Sequence, residues 1–314
     1  MDLSIIIPYN NEGKNLPIIF TRIVQVFNRI KNEIGFKNFE ILFIDDGSTD
    51  NGTGLLIETI QSTNCGDINL DISIYRFNEN LGQSAALSLG FSKFKGKYVA
   101  TIDADLQNDP EDLIPMIKIL LEKNYDVVSG YRKNRNEGFR VKLSMVGNWL
   151  IRLISGYSVV DVGCSLKLYK SEIVKDIKLP YGYHRFLPII TRVDKHKILN
   201  YPVKHFNRIY GKSHYNYSRI LWLLKNIMIL PFLRKLDISK AKKMVKIFAF
   251  LSVFSVFVWP LYSYAITPLI FLTLILSIIY VKINNFIIFQ ETFKYIKYER
   301  VFHKLINCKC LVNV

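Results

Sequence analysis

The stretch YVATIDADLQNDPEDL, residues 98–113, joins an apolar run to a cluster of acids. Asp103 and Asp105 stand one alanine apart where the apolar run ends, and Asp109 follows before Pro110. The chain as a whole carries a formal net charge of +16. Because an unpaired buried carboxylate is costly, the pattern predicts that these acids are paired, hydrated or bound to a cation.

Around this stretch, residues 1–135 alternate between short apolar runs and amphipathic segments, among them 16–34 and about 82–94. Continuous apolar strands separated by helices predict an α/β fold with a mostly parallel sheet covered on both faces. Ligands bind such sheets at the carboxyl ends of the strands. The predicted strands are LSIIIP (3–8), FEILFIDD (39–46), DISIYRF (71–77), YVATIDAD (98–105) and YDVVSGYR (125–132). Later, looser patterns predict a helix over 139–154 and strands over 165–169 and 198–205.

Two acidic motifs follow predicted strands. If the strand continues through Asp105, the side chains of Asp103 and Asp105 point to the same side of the sheet. Their hard carboxylate oxygens suit Mg²⁺ or Mn²⁺, which in turn bind phosphate oxygens. The alternative is a helix-capping cluster. Asp45 and Asp46 are expected to accept hydrogen bonds from a base or ribose; the alternative is an ordinary turn. The first loop, LSIIIPYNNEGKN, contains neither G-x-G-x-x-G nor a P-loop lysine motif, which argues against dehydrogenases and NTPases.

The combination of these motifs resembles glycosyltransferase family 2, the inverting enzymes of the Rossmann-like GT-A fold. The resemblance covers the first 135 residues and rests on P-Y-N-N-E at 8–12, DDGSTD at 45–50, NENLGQSAALSLG at 78–90 and DADLQNDPEDL at 103–113. It implies a divalent metal, Mg²⁺ or Mn²⁺, at Asp103 and Asp105, and a nucleoside held by Asp45 and Asp46. The implied nucleotide-sugar site comprises Pro8, Asn11, Glu12, Asp45, Asp46, Asp103, Ala104, Asp105 and Gln107.

The second half resembles the polyprenyl-phosphate glycosyltransferases, a group that includes dolichol-phosphate-mannose synthase and undecaprenyl-phosphate sugar transferases. The similar segments are DVGCSLKLYKSEI (161–173), HRFLP (184–188) and VKHFNRIYGKSHYNYSR (203–219). The resemblance implies catalytic roles for Arg132 and Arg208 beside the acid pair. Lys167 stands where many relatives have arginine, so it offers a point charge instead of a fork. The implied acceptor and diphosphate ligands are Arg132, Arg140, Lys142, Asp161, Lys167, Arg208 and Ser213. For each basic residue among them, the alternative is an ordinary solvated charge on the protein surface.

A hydrophobic segment dominates the C-terminal third. Residues 247–281 form a run of 35 residues without a charge, longer than the roughly 20 residues of one membrane span. Pro260 and Pro268 near its middle favour a transmembrane helical hairpin over a single tilted or re-entrant helix. The predicted organisation is a glycosyltransferase domain (1–215), an amphipathic interfacial helix with a basic linker (216–243), a two-helix membrane hairpin (244–290) and a basic cytoplasmic tail (291–314).

The basic residues concentrate around that segment. Residues 216–314 contain 14 Lys and Arg against 3 Asp and Glu. By the positive-inside rule, this predicts a multi-pass protein of the cytoplasmic membrane whose catalytic domain and termini are cytoplasmic. Nucleic acid is not an expected partner, because the bases are not interleaved with aromatics on the soluble part. A homo-oligomer is left open.

The expected reaction follows from charge. A lipid phosphate is largely ionised at neutral pH, since its second pKa is about 6, so it can attack a sugar without a general base. Together with the two resemblances, this implies metal-dependent, inverting transfer from a UDP- or GDP-sugar to a polyprenyl phosphate. The alternatives are another lipid or glycan acceptor, or a catalytically silent membrane scaffold. A processive synthase is disfavoured, because none of the three tryptophans follows an arginine as its Q-x-x-R-W motif requires.

Overall fold

The computed structural model describes residues 1–133, 139–191, 193–210 and 297–306. Their strands form one sheet of eight, in the order β7-β5-β6-β4-β1-β2-β3-β8. The strands are β1 (Leu3–Tyr9), β2 (Asn38–Asp45), β3 (Asn69–Phe77), β4 (Tyr98–Thr101), β5 (Val127–Arg132), β6 (Lys167–Lys170), β7 (Ile198–Val203) and β8 (Tyr298–Ile306). The helices in these ranges are α1 (Leu16–Ile34), α2 (Gly52–Ser62), α3 (Gln83–Lys93), α4 (Leu113–Glu122), α5 (Phe139–Ser155), α6 (Ser171–Val174) and α7 (Leu187–Ile190).

The centre of the sheet is parallel and covered on both faces, as the apolar runs predict. β1 pairs in parallel with β2 and β4, and every residue of β1 is buried. Ile5 and Ile7 belong to the core that α1 joins, where Phe27 stacks on Phe39 of β2 with 4.2 Å between ring centroids. On the opposite face, α3 approaches so closely that a Cβ on Gly90 would lie 2.4 Å from the Ile6 side chain. A substitution there cannot be accommodated unless α3 or the Ile6 side chain moves.

Two strands run against the others. β6 lies between β4 and β5 and is antiparallel to both, while β7 is parallel to β5. The sheet is therefore mixed, although most pairs are parallel. The connection from β5 to β6 includes α5. Because β6 is antiparallel to β4, the start of β6 lies beside the end of β4, with Lys167 opposite Thr101. Residues 161–167 consequently lie close to the acids that follow β4.

The second antiparallel strand lies within the segment predicted to be a basic cytoplasmic tail (291–314). β8 pairs with β3 along the edge of the sheet, a pairing that the sequence analysis did not predict. Phe302 packs against the core, and the Nε2 of His303 lies 2.9 Å from a carboxylate oxygen of Asp71. An open edge strand leaves backbone groups unpaired, and YERVFHKLI supplies partners from a segment without Gly or Pro. The signal was the content of Tyr, Val, Phe and Ile, which favour strands.

The chain divides into two compact units, one of Met1–His214 with Ile296–Val314 and one of Tyr215–Tyr295. Within the described residues, no helix has both the length and the apolar character needed to cross a membrane. The predicted interfacial segment (216–243) and membrane hairpin (244–290) lie outside those residues and remain predictions.

Candidate active site

The acid pair lies in a loop and not on a strand. β4 ends at Thr101, and the backbone turns at Leu106 with a φ of 61°. The prediction that the strand continues through Asp105 is therefore wrong, and the alternation argument does not apply. The two carboxylates are nevertheless close enough to affect each other. Burial raises the pKa of Asp103 above its ordinary value, and the negative charge of Asp105 raises it further. The structure thus places both acids at the carboxyl end of β4 within one electrostatic site.

Asp103 is held by side chains from two other segments. The Nε2 of Gln83, in the first turn of α3, donates a hydrogen bond of 2.6 Å to its Oδ1. The backbone N–H of Asp103 donates to the Oγ of Ser165 at 3.3 Å. Sequence reasoning assigned neither residue a role. The signal for Gln83 was its place in the 78–90 motif, directly after Gly82.

Arg208 connects the acid pair to the first loop. Its guanidinium donates to Asp105 Oδ2 at 2.9 Å and to Glu12 Oε1 at 3.1 Å. Gln107 holds the same segment, because its carbonyl accepts a bond of 2.9 Å from the backbone N–H of Phe206. Three predicted site residues that are distant in sequence, Glu12, Asp105 and Arg208, therefore meet at one edge of the sheet.

The two acids at the carboxyl end of β2, Asp45 and Asp46, stabilise the loop that a nucleoside is predicted to contact. Asp45 is fully buried and accepts hydrogen bonds from the Ser48 N–H at 2.8 Å and the Thr53 hydroxyl at 3.0 Å. Asp46 Oδ1 accepts from the N–H groups of Leu81 and Gly82 at 2.7 and 3.1 Å. These contacts suit the turn alternative, and the nucleoside role stays a prediction.

The remaining residues of the predicted nucleotide site shape the neighbouring backbone. Pro8 is buried within β1, and Ala104 is buried between the two acids. Asn11 has a φ of 56°, and its side-chain oxygen accepts a bond of 2.8 Å from the Thr49 N–H. Gly47 has a φ of 67°, and a Cβ there would lie 2.5 Å from the backbone of Glu79. The three loops after β1, β2 and β3 are therefore packed against one another with little room for substitution.

A buried cationic cluster lies beside the acid pair. Arg132 forms a two-point ion pair with Asp161, through bonds of 2.6 and 2.9 Å. Lys167 is buried, which lowers its pKa, and its ammonium donates to the carbonyls of Val162 and Cys164. The positive charges of Lys167 and Arg132 partly offset the rise in the pKa of Asp103. Two of the predicted acceptor-binding bases therefore lie near the acids.

Three other predicted acceptor ligands cannot be placed in this way. Arg140 and Lys142 belong to α5, but their side chains, like the whole of Ser213, are outside the described part of the chain. Their roles remain predictions.

The donor set fits a divalent cation that is shared with a substrate. Among the described residues, no group of three or more His, Cys, Asp or Glu side chains could hold a metal ion. Mg²⁺ is commonly bound by one or two carboxylates together with substrate phosphates and water. Asp103 and Asp105 could supply that number of hard oxygen ligands, so the chemistry of the site is compatible with a metal bound together with a diphosphate.

The buried carboxyl group of Asp46 should make the stability of the fold depend on pH. Burial raises the pKa of Asp46 to about 6, and the charge of Asp45 adds a smaller effect in the same direction, although the two N–H donors lower the pKa. An unfolded aspartate has a pKa of about 3.9, so folding favours the protonated form. Its stabilising contribution is complete below about pH 4 and is lost as the pH rises through about 6.

We expect Asp46→Asn to remove this dependence, because the amide oxygen can still accept both N–H bonds. Two pKa units correspond to roughly 3 kcal/mol. The variant should therefore gain about that much free energy of unfolding relative to the wild type between pH 4 and pH 7, measured by denaturant titration. A difference between the two proteins that does not change with pH would contradict the raised pKa.

Comparison with known proteins places this site in a family. The model of the family described as "Glycosyl transferase family 2" matches residues 4–178, more than half of the 314 residues. Similar solved structures include three of glucosyl-3-phosphoglycerate synthase from Mycobacterium tuberculosis. One contains Mn²⁺, UDP and glucosyl-3-phosphoglycerate, with 16% identity, coverage of 74% of this chain and 79% of that chain, and a TM-score of 0.52.

The other two structures contain different ligands. The second structure contains Mn²⁺, UDP-glucose and phosphoglyceric acid, and its sequence is 17% identical to this chain. The third contains Mg²⁺ and UDP, and its sequence is 16% identical. Both cover 74% of this chain and 79% of that chain, with a TM-score of 0.53. At these identities the likeness shows that the folds are similar, which agrees with the mixed α/β sheet described above. Because the family model matches residues 4–178, which include β1 to β6 and the acid pair, this chain belongs to glycosyl transferase family 2 and is a glycosyltransferase.

Proposed function

We propose that this glycosyltransferase uses Mg²⁺ or Mn²⁺ to transfer a sugar, with inversion, from a UDP- or GDP-sugar to a polyprenyl phosphate at the cytoplasmic face of a membrane. The observation that carries the proposal is that the acid pair lies near cationic groups from two segments. Arg208 donates a hydrogen bond to Asp105, and the positive charges of Lys167 and Arg132 act on Asp103. Such a site suits a reaction in which two phosphate-bearing substrates must be brought together.

The residues would divide the work by charge. Asp103 and Asp105 would hold the metal, which stabilises charge on the departing diphosphate when it is bound. Gln83 keeps one oxygen of Asp103 in place. Arg208 and Arg132 would neutralise the phosphates and align the acceptor oxygen with the anomeric carbon, whose bond to the diphosphate breaks as the new bond forms. The acceptor phosphate carries no proton that must be removed, so no general base is assigned.

The nucleotide and the metal are also supported by the similar structures. Those structures contain UDP-glucose or UDP together with Mn²⁺ or Mg²⁺. The lipid acceptor is supported by the segments similar to polyprenyl-phosphate enzymes and by the apolar run at 247–281, which would keep the site close to a bilayer. The bases that flank this run favour a cytoplasmic catalytic domain and cytoplasmic termini.

A second acceptor class deserves a direct comparison. One of the glucosyl-3-phosphoglycerate synthase structures contains phosphoglyceric acid, a small water-soluble molecule that also carries a phosphate. A cationic pocket can recognise either phosphate. The experiment therefore has to separate a lipid acceptor from a water-soluble one.

Full-length protein in vesicles is incubated with a panel of labelled UDP- and GDP-sugars and Mn²⁺, with either undecaprenyl phosphate or 3-phosphoglycerate. We expect label from one donor to enter the organic extract only when undecaprenyl phosphate is present, and EDTA to prevent it. Label that appears only in a water-soluble product would overturn the lipid acceptor. Binding of no nucleotide sugar in the presence of metal would favour the silent scaffold.

A further inference from the structure

Helix α5 exposes an apolar stripe that the catalytic site does not use. Met145, Trp149 and Leu153 are 63%, 53% and 66% exposed, respectively. Their spacing of four residues places them along one side of the helix. On another side Gly147, Asn148 and Ile151 are buried against the domain. The helix therefore packs against the domain on one side and exposes an apolar stripe on another, which is unusual for a surface helix in water.

We propose that this stripe lies in the headgroup region of a bilayer that contains anionic lipids, so that α5 is a second membrane contact of the catalytic domain. The proposal rests on the membrane-associated function proposed above, and assigns a surface to it.

The charge of the helix supports lipid as the occupant. α5 contains Arg140, Lys142 and Arg152 and no acidic residue, and Arg152 is exposed. Basic residues beside an exposed tryptophan and aliphatic side chains are the composition of helices that lie in the membrane interface, where tryptophan is enriched. An anionic lipid surface complements both properties.

The size of the stripe favours a bilayer over a second copy of the chain. A stable protein interface buries roughly 800 Å² on each partner, more than three side chains provide. A bilayer contact needs no such area here, because the chain also contains the apolar run at 247–281 as an anchor. The stripe then has only to orient a domain that is already held nearby.

The test uses single-tryptophan variants of the full-length protein in vesicles containing phosphatidylglycerol and phosphatidylcholine brominated near the headgroup end of its chains. Trp222→Phe with Trp259→Phe leaves Trp149 as the probe, and Trp149→Phe with Trp222→Phe leaves Trp259. A third variant replaces all three with Phe and introduces Leu55→Trp at an exposed position of α2.

We expect emission from Trp149 to fall as the brominated fraction rises, and emission from residue 55 to remain constant. Quenching of Trp259 without quenching of Trp149 would overturn this inference and leave membrane anchoring intact. A Trp149 signal shielded by self-association, insensitive to brominated lipid, would overturn it as well. Quenching of neither Trp149 nor Trp259 would overturn the membrane location, and this inference with it.

Discussion

Asp105→Asn is expected to lower kcat/KM for sugar transfer on the order of 10²–10³-fold, the range seen when one preorganised charge-stabilising group is removed from an active site. Asparagine keeps the shape of the side chain but removes a charge from the acid pair. It also weakens the bond of 2.9 Å that Arg208 makes to this carboxylate. The assay measures transfer across a titration of Mn²⁺, and we expect the variant to require more metal.

Two matched variants identify the cause. Glu12→Gln weakens the other anchor of Arg208 but leaves the acid pair intact, so it should reduce transfer less and keep the wild-type requirement for Mn²⁺. Asp126→Asn alters an ion pair with Lys170 ahead of β5, at the opposite end of that strand from Arg132, and should leave transfer unchanged. Undiminished transfer by Asp105→Asn, or a loss with an unaltered metal requirement, would contradict the metal role.

The second large effect is on stability. The side chains of Arg132 and Asp161 are only 13% and 8% exposed and form two hydrogen bonds of 2.6 and 2.9 Å. Asp161→Asn leaves the guanidinium buried without its counter-charge. Breaking a buried pair in this way typically costs about 3–5 kcal/mol. We expect a loss of that size in the free energy of unfolding, measured by denaturant titration of the purified full-length protein.

The comparison again uses Asp126→Asn, since its ion pair is more exposed, and such pairs contribute about 1 kcal/mol or less. The double variant Arg132→Met with Asp161→Leu removes both charges and should recover most of the lost stability, because apolar replacements of a buried pair are often neutral. Although stable, the double variant should be inactive in sugar transfer if Arg132 neutralises a substrate phosphate. Full activity in this stable double variant would refute that role.

Local patterns were sufficient for the parallel core. The apolar runs at 3–8, 39–46 and 71–77 correspond to β1, β2 and β3, and the amphipathic segment 16–34 corresponds to α1. The three strands appear in the sequence as continuous apolar runs and the helix as an amphipathic period, and each of these signals lies within one short segment. The acid motifs and the first three loops identified the family for the same reason, since each motif lies within one short segment.

Contacts between distant segments were decided by the tertiary structure alone. β8 joins the sheet although more than 200 residues separate it from β3, and β6 enters between β4 and β5 against the parallel pattern. Arg208 reaches Asp105 and Glu12 only because the segment after β7 crosses the carboxyl ends of β1 and β4. The pattern along a chain records which faces are buried, but it does not record which edge, charge or loop a residue will meet. Those partners depend on the order and direction in which strands pair, and this is why the motifs predicted the acids of the site while only the folded sheet revealed what holds them.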